Sequence, residues 1–192
     1  MYEKEYHPTD DDRIRYVAKY PNQIWHTDLH ILNINDVKFY LIAFLDDRTR
    51  FVLFYKILDK KEMIQTANAL LECIQINQIV PSCIVIDNGK EFIGEDFQNV
   101  MRSYNIDDWR TKPYTPQQNG KIERFWLTLM KTMKKDQPIL VQLPDIINEY
   151  NTIWNHSSLK KLYGEKMTPK KAWLKGPIWR DGMDKEIQFS HE

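Results

Sequence analysis

Three carboxylates in this chain stand where side chains would meet a crevice: Asp28 in WHTDLH, Asp87 in CIVIDNGKEF and Glu123 in NGKIERFW. Asp28 lies in the middle of an alternating stretch. Trp25, Thr27, Leu29 and Ile31 form one face of it, and His26, Asp28, His30 and Leu32 the other, which is the period of a strand. Asp87 closes the apolar run Ile84-Val85-Ile86, a buried strand that Asn88-Gly89 then breaks, so this acid stands at a strand tip. Glu123 falls on the edge of the apolar arc of a helix, beside Met130. Carboxylates are the side chains that hold hard divalent cations such as Mg²⁺ and Mn²⁺. Singly, each acid also has a plainer use. Asp28 could decorate an edge strand, Asp87 start an Asx turn, and Glu123 offset a helix dipole. His26 and His30 flank Asp28 on its own face, and His-x-Asp-x-His also admits a zinc or iron hydrolase.

The elements that must position these acids are legible in the same way. Pro113 and Pro116 delay a helix, Asn119-Gly120 offers a cap and a flexible joint, and Ile122, Phe125, Trp126, Leu129, Met130 and Met133 then recur at helical spacing. Residues 37–45 and 51–58 read as two further strands around the turn Asp46 to Arg50, so the domain opens as an antiparallel meander of three. A helical period follows over residues 60–77, with Met63, Ala67, Leu70, Leu71, Ile74 and Ile76 facing inward. Residues 82–86 are the fourth strand, 96–104 a short helix, 109–111 a short fifth strand, and 142–154 a last amphipathic helix. This order predicts a mixed sheet with helices on both faces, the α/β layout. Residues 1–20 read as an exposed lead-in or short helix, 21–174 as the core, and 175–192 as an extended or disordered tail.

Composition bounds the function. With 192 residues, 42% of them hydrophobic, the chain can build one well-packed domain. No apolar run approaches a membrane span, and the charged start MYEKEYHPTDDDR lacks the apolar stretch of a signal peptide, so no membrane partner is expected. Cys73 and Cys83 sit inside apolar patterns and read as buried free thiols. Net charge is zero, 27 basic against 27 acidic residues, so any grip on nucleic acid must be local. The candidate patch is residues 109–135, where Arg110, Lys112, Lys121, Arg124, Lys131, Lys134 and Lys135 meet a single acid, Glu123.

The three acids in this order, with PYTPQQNGKIERF running through the last and YNTIWNHSSLKKLYGEKMTPKKAW closing the stretch, resemble the catalytic core of retroviral integrases and related Asp-Asp-Glu transposases, over about residues 21–173. That resemblance implies a ribonuclease-H-like α/β fold with a five-stranded mixed sheet, and the element count agrees. It implies catalysis by two ions of Mg²⁺ or Mn²⁺, with Asp28 bridging both and Asp87 and Glu123 each holding one. It implies DNA as partner, both element ends and target, and a symmetric homodimer, for which Trp109, Trp154 and Trp173 offer apolar surface. Gln117 and Asn119 look like the family's mobile loop beside the site. Lys121, Arg124, Lys131 and Lys134 are placed to meet phosphates, and Asn88 to steady the second acid. Asn155 and His156 match the closing segment in a structural role. Leu127 and Met130 depart from the family, standing where many cores carry basic residues one and two turns after the glutamate. The family's N-terminal His/His/Cys/Cys zinc domain and C-terminal small β-barrel have no counterpart here, which reads as a core or a fragment cut to one. The implied activity is metal-dependent DNA 3′-end processing and strand transfer for a mobile element. The alternatives are a domesticated DNA-binding or dimerisation module of the same fold, and a plain nuclease.

Overall fold

The computed structural model describes residues 15–34, 37–111, 116–134, 136–183 and 187–190. Strand β1 is Arg15–Ala18. A meander of β2 (Ile24–Ile34), β3 (Val37–Asp46) and β4 (Val52–Leu58) follows, then helix α1 (Met63–Asn77), β5 (Cys83–Ile86), α2 (Lys90–Ile93), α3 (Glu95–Ser103) and β6 (Asp107–Arg110). The chain continues through α4 (Pro116–Thr132), α5 (Ile139–Thr152), α6 (Ser157–Tyr163), α7 (Pro169–Leu174) and β7 (Ile187–Ser190). Five strands form one mixed sheet in the order β4-β3-β2-β5-β6, antiparallel within the meander and parallel from β2 to β6. The expected five-stranded α/β architecture is present.

Alternation along the strands splits the core in two. Trp25, Ile42, Phe44, Ile84 and Ile86 pack on one face against Ala67, Leu70, Cys73 and Ile74 of α1. Leu32, Leu41, Ala43 and Leu45 pack on the other against Ile122, Phe125, Trp126 and Leu129 of α4 and Leu143, Ile146, Ile147 and Tyr150 of α5. Because side chains alternate with a period of two, the β2 face that holds His26, Asp28 and His30 is the one turned toward α4. The sheet's edge strand β4 is closed by α5, whose Asn151 side chain accepts from Val52 N–H at 2.9 Å and donates to Val52 C=O at 3.0 Å. A side-chain amide thus satisfies both edge groups of one residue. Both cysteines are buried, and neither is in a disulfide.

Several expectations need correction. Helix α1 starts at Met63, with Met63 43% and Ile76 69% exposed, while Thr66, Ala69 and Cys73 are buried instead. Contact with α3 and β4 sets its rotation, which periodicity alone misses. The short helix expected over 96–104 is α3, and the one-turn helix α2, which no expectation included, precedes it across Gly94. A Cβ on Gly94 would stand 1.9 Å from Met63 Sδ and 2.8 Å from Lys90 C=O, so the Met63 side chain packs directly on this glycine. Helix α4 begins at Pro116, three residues before the expected cap, because proline's fixed φ suits the first helical position. Asn119-Gly120 is therefore inside the helix. Residues 15–18 and 187–190 are not lead-in and tail but pair as a two-stranded antiparallel sheet. Tyr16 and Ala18 are buried against Ile24, Cys83 and Val85. Trp179 is buried too, its N–H donating to Pro21 C=O at 2.8 Å and its C=O accepting from Asn22 Nδ2 at 3.0 Å.

Candidate active site

The parallel register of β2 and β5 pairs His26 with Val85. Asp28 and Asp87 each lie two residues further along, so adjacent strands deliver the two acids side by side on the α4 face. Asp28 is held at both oxygens. Oδ1 accepts from Leu29 N–H at 2.8 Å and Oδ2 from the Trp126 indole N–H at 3.0 Å. Trp126 is one helical turn beyond Glu123, so the helix that carries the third acid also fixes the first. The Trp126 ring stacks on His30 at 5.4 Å. Burial pushes the Asp28 carboxyl up to about 6. The Trp126 and Leu29 hydrogen bonds oppose that shift, and the charges of Asp87 and Glu123 add to it. That mutual repulsion is the mark of three acids sharing one crevice. Asp87 turns Oδ1 onto Gly89 N–H at 2.8 Å in an Asx turn. Glu123 is exposed, its carboxyl raised by partial desolvation.

As donors, three carboxylates suit a hard divalent cation. Among the described residues, no group of three His, Cys, Asp or Glu side chains is drawn tightly enough to grip a metal. The site supplies the ligand type and an electrostatic need for a cation, but not a closed cage. Asn88 donates from Nδ2 to Thr111 C=O at 2.8 Å, tying the turn after Asp87 to the end of β6. The two histidines flanking Asp28 are engaged elsewhere, His30 on Trp126 and His26 on Asp47 at 2.7 Å, which leaves no His-x-Asp-x-His chelate. His156 lies edge-on to Tyr150, a packing role.

Of the basic positions, Arg124, Lys131 and Lys134 are exposed, as phosphate contact requires. Lys121 is not on the polar side of its helix. Its ammonium pairs with the fully buried Asp47, donates to Tyr16 C=O at 2.7 Å, and lies 4.3 Å from the Tyr16 ring centroid. Asp47 also accepts from Ala18 N–H at 2.8 Å. Burial alone would raise Asp47, but Lys121 and His26 hold it well below the ordinary carboxylate range. Burial lowers His26, keeping it neutral. Lys121 is therefore a core cation that anchors α4 to β1 and the end of β3. Asn119 is buried, and its Oδ1 has no partner among the described residues. The side chain of Gln117 lies outside the described residues, as does all of Lys112 and Lys135.

Sequence reasoning missed two residues that the fold brings to the acids. Glu91 in α2 is 4% exposed and pairs at 2.8 Å with Lys61. The only available signals were a glutamate four residues after Asp87 and two lysines before α1. The three tryptophans expected at a dimer surface pack within the chain instead: Trp109 on Tyr16 at 4.4 Å, Trp173 on Phe51 at 5.4 Å, and Trp154 edge-on to Tyr150 at 6.1 Å.

A mid-strand Asp28 and a strand-tip Asp87 thus face the helix that bears Glu123 on one side of a mixed five-stranded sheet, within a ribonuclease-H-like fold. Integrase core domain family models match residues 18–116 and 104–163, and the chain belongs to that family. It is 31% identical over 144 residues to ORF3 of Spiroplasma virus SpV1-C74, which carries an integrase name, covering 66% of this chain and 40% of that protein. It is 30% identical over 147 residues to the transposase of transposon Tn552 from Staphylococcus aureus, covering 69% of this chain and 29% of that protein. The chain thus spans well under half the length of these relatives. Among solved structures, it superposes on the simian T-cell lymphotropic virus intasome with a TM-score of 0.72 at 20% identity, covering 85% of this chain and 59% of that one. The HTLV-2 integrase catalytic core domain in complex with magnesium gives 0.66 at 20% identity, covering 81% of this chain and 98% of that one. The fold is that of the retroviral integrase cores.

Proposed function

We propose that this chain is the catalytic core of a mobile-element integrase or transposase, a metal-dependent polynucleotidyl transferase that processes DNA 3′ ends and joins them to target DNA. The observation that carries this reading is the β2–β5 register that sets Asp28 beside Asp87, facing the helix that bears Glu123. Asp28, Asp87 and Glu123 would hold Mg²⁺ or Mn²⁺, two ions in all. Bound there, the ions would supply positive charge to a phosphodiester and activate water or a 3′-hydroxyl. Trp126 and the Leu29 N–H orient Asp28. The Asx turn at Gly89 and the Asn88–Thr111 bond orient Asp87. Helix α4, anchored by Lys121 on Asp47, carries Glu123. DNA would approach over α4, where exposed Arg124 and Lys131, with Lys134 just past the helix end, would neutralise phosphates without reading bases.

Manganese titration by calorimetry tests this. Wild type should bind, and Asp87→Asn should lose one site at an unchanged unfolding temperature, since an isosteric amide at a strand tip removes charge but not packing. Equal binding by both proteins would contradict the assignment. The HTLV-2 core is known in dimeric and trimeric forms, and we propose a homodimer here. Helices α4 and α5 leave Leu127, Leu140, Val141 and Ile153 between 59% and 68% exposed, the apolar area that a dimer would cover. Sedimentation as a monomer at micromolar concentration would remove the dimer without touching the chemistry.

A further inference from the structure

Lys61 stands just before α1, and its ammonium reaches back to the crevice, 2.8 Å from Glu91 Oε1. Glu91 is nearly sealed at 4% exposure, whereas the Lys61 side chain is 47% exposed, so the cation has one side on a buried anchor and another toward solvent. Gly89 joins this pair to the second catalytic acid. A Cβ on Gly89 would lie 2.5 Å from Glu91 Oε1 and 2.8 Å from Asp87 Oδ1, so the two carboxylates crowd together over this glycine. The Glu91 hydrogen bond is the main influence holding the Lys61 ammonium protonated, and Asp87 and Asp28 act on it in the same direction.

We propose that Lys61 is a phosphate-binding residue of the active site, and that Glu91 holds its ammonium off the catalytic aspartates so that a divalent cation can occupy them. The inference rests on the reading of Asp28 and Asp87 as metal ligands. An ammonium beside two carboxylates is a competitor for any metal they bind, and an untethered one would fall onto them. Pairing with Glu91 uses one of its three N–H donors and leaves the others aimed at solvent. A non-bridging oxygen of a phosphate held at the aspartates would lie within reach of that compact charge.

The proposal predicts opposite effects on two ligands. Lys61→Met should tighten Mn²⁺ binding in calorimetry by on the order of threefold to tenfold, because a positive charge leaves the site. The same variant should weaken binding to unrelated DNA duplexes in Ca²⁺ and flatten the log–log salt slope by about 0.9. Glu91→Gln should weaken Mn²⁺ binding by freeing the ammonium, and Lys61→Met/Glu91→Gln should restore it. Lys61→Arg should keep both affinities near wild type. The double variant leaves no orphan buried charge, so it gives a readout even if Lys61→Met is poorly folded. A Lys61→Met protein that folds but binds Mn²⁺ more weakly, or a double variant with wild-type salt slope, would overturn the proposal. If wild type binds no Mn²⁺, the metal reading fails by itself, and the salt slope alone decides whether Lys61 meets phosphate.

Discussion

In the proposed chemistry Asp28 is the pivotal acid, because its carboxyl is pushed up to about 6 by burial and by the neighbouring acids. Above that pH it is ionised and available to a cation. Below it, proton and metal compete, and Mn²⁺ affinity should fall by up to about tenfold per pH unit. Trp126 adds a second handle, since its N–H stabilises the charged form. Trp126→Phe keeps the ring on His30 but removes the donor, so the pH midpoint for Mn²⁺ binding should move up by about one unit, the equivalent of roughly 1.4 kcal/mol for a charged hydrogen bond. An unmoved midpoint would show that the indole only packs. Asp28 and Asp87 were legible in sequence because strand alternation and a Gly-containing turn put each at a defined face or tip. Lys121 was not legible. Its inward pairing with Asp47 joins positions 74 residues apart, and no local pattern distinguishes a lysine that points to phosphate from one that points to a buried aspartate. The Lys61–Glu91 pair was hidden for the same reason: a charged residue beside an apolar run is solvated by default, and only the tertiary contact shows otherwise.

Among the elements, α4 matters most, since it carries Glu123, Trp126 and Lys121 together. Its apolar stripe was plain from the spacing of Ile122, Phe125, Trp126 and Leu129, whereas its start was misplaced because Asn-Gly normally punctuates a helix. Gly120 sits inside that helix with open space around its Cβ position. A glycine in a helix interior costs about 0.5–1 kcal/mol relative to alanine. Gly120→Ala should therefore raise the unfolding temperature by a few degrees, and thermal denaturation reads it directly. A lower value would mean that the first turn of α4 needs the freedom of glycine beside Glu123. The small β1–β7 sheet was invisible in sequence because its partners stand at opposite ends of the chain, where neither has a periodic run long enough to announce a strand.

The molecule as a whole carries no net charge, so long-range attraction to DNA would be weak and the proposed grip would have to come from local cations. With Lys121 withdrawn into the core, the exposed cations on α4 and just past its end are Arg124, Lys131 and Lys134. These three phosphate contacts, with Lys61 as the fourth, give a log–log salt slope near −3.6 on duplex DNA. Fluorescence anisotropy in Ca²⁺ should find that slope on unrelated duplexes alike, and Arg124→Ala should flatten it by about 0.9. Lys121→Met should instead lower stability by about 3 kcal/mol, because it leaves Asp47 charged and buried. A salt-insensitive preference for one sequence would point to a base-reading element elsewhere on the chain.

The central claim, that Asp28, Asp87 and Glu123 together transfer DNA strands, is tested most directly by incubating the protein with a short duplex bearing a free 3′-hydroxyl and a supercoiled plasmid in Mn²⁺. The account predicts covalent joining of the duplex to the plasmid by wild type, and loss of joining by at least about a hundredfold in each of Asp28→Asn, Asp87→Asn and Glu123→Gln. Joining that survives any one of the three substitutions, in a protein that remains folded, would contradict it.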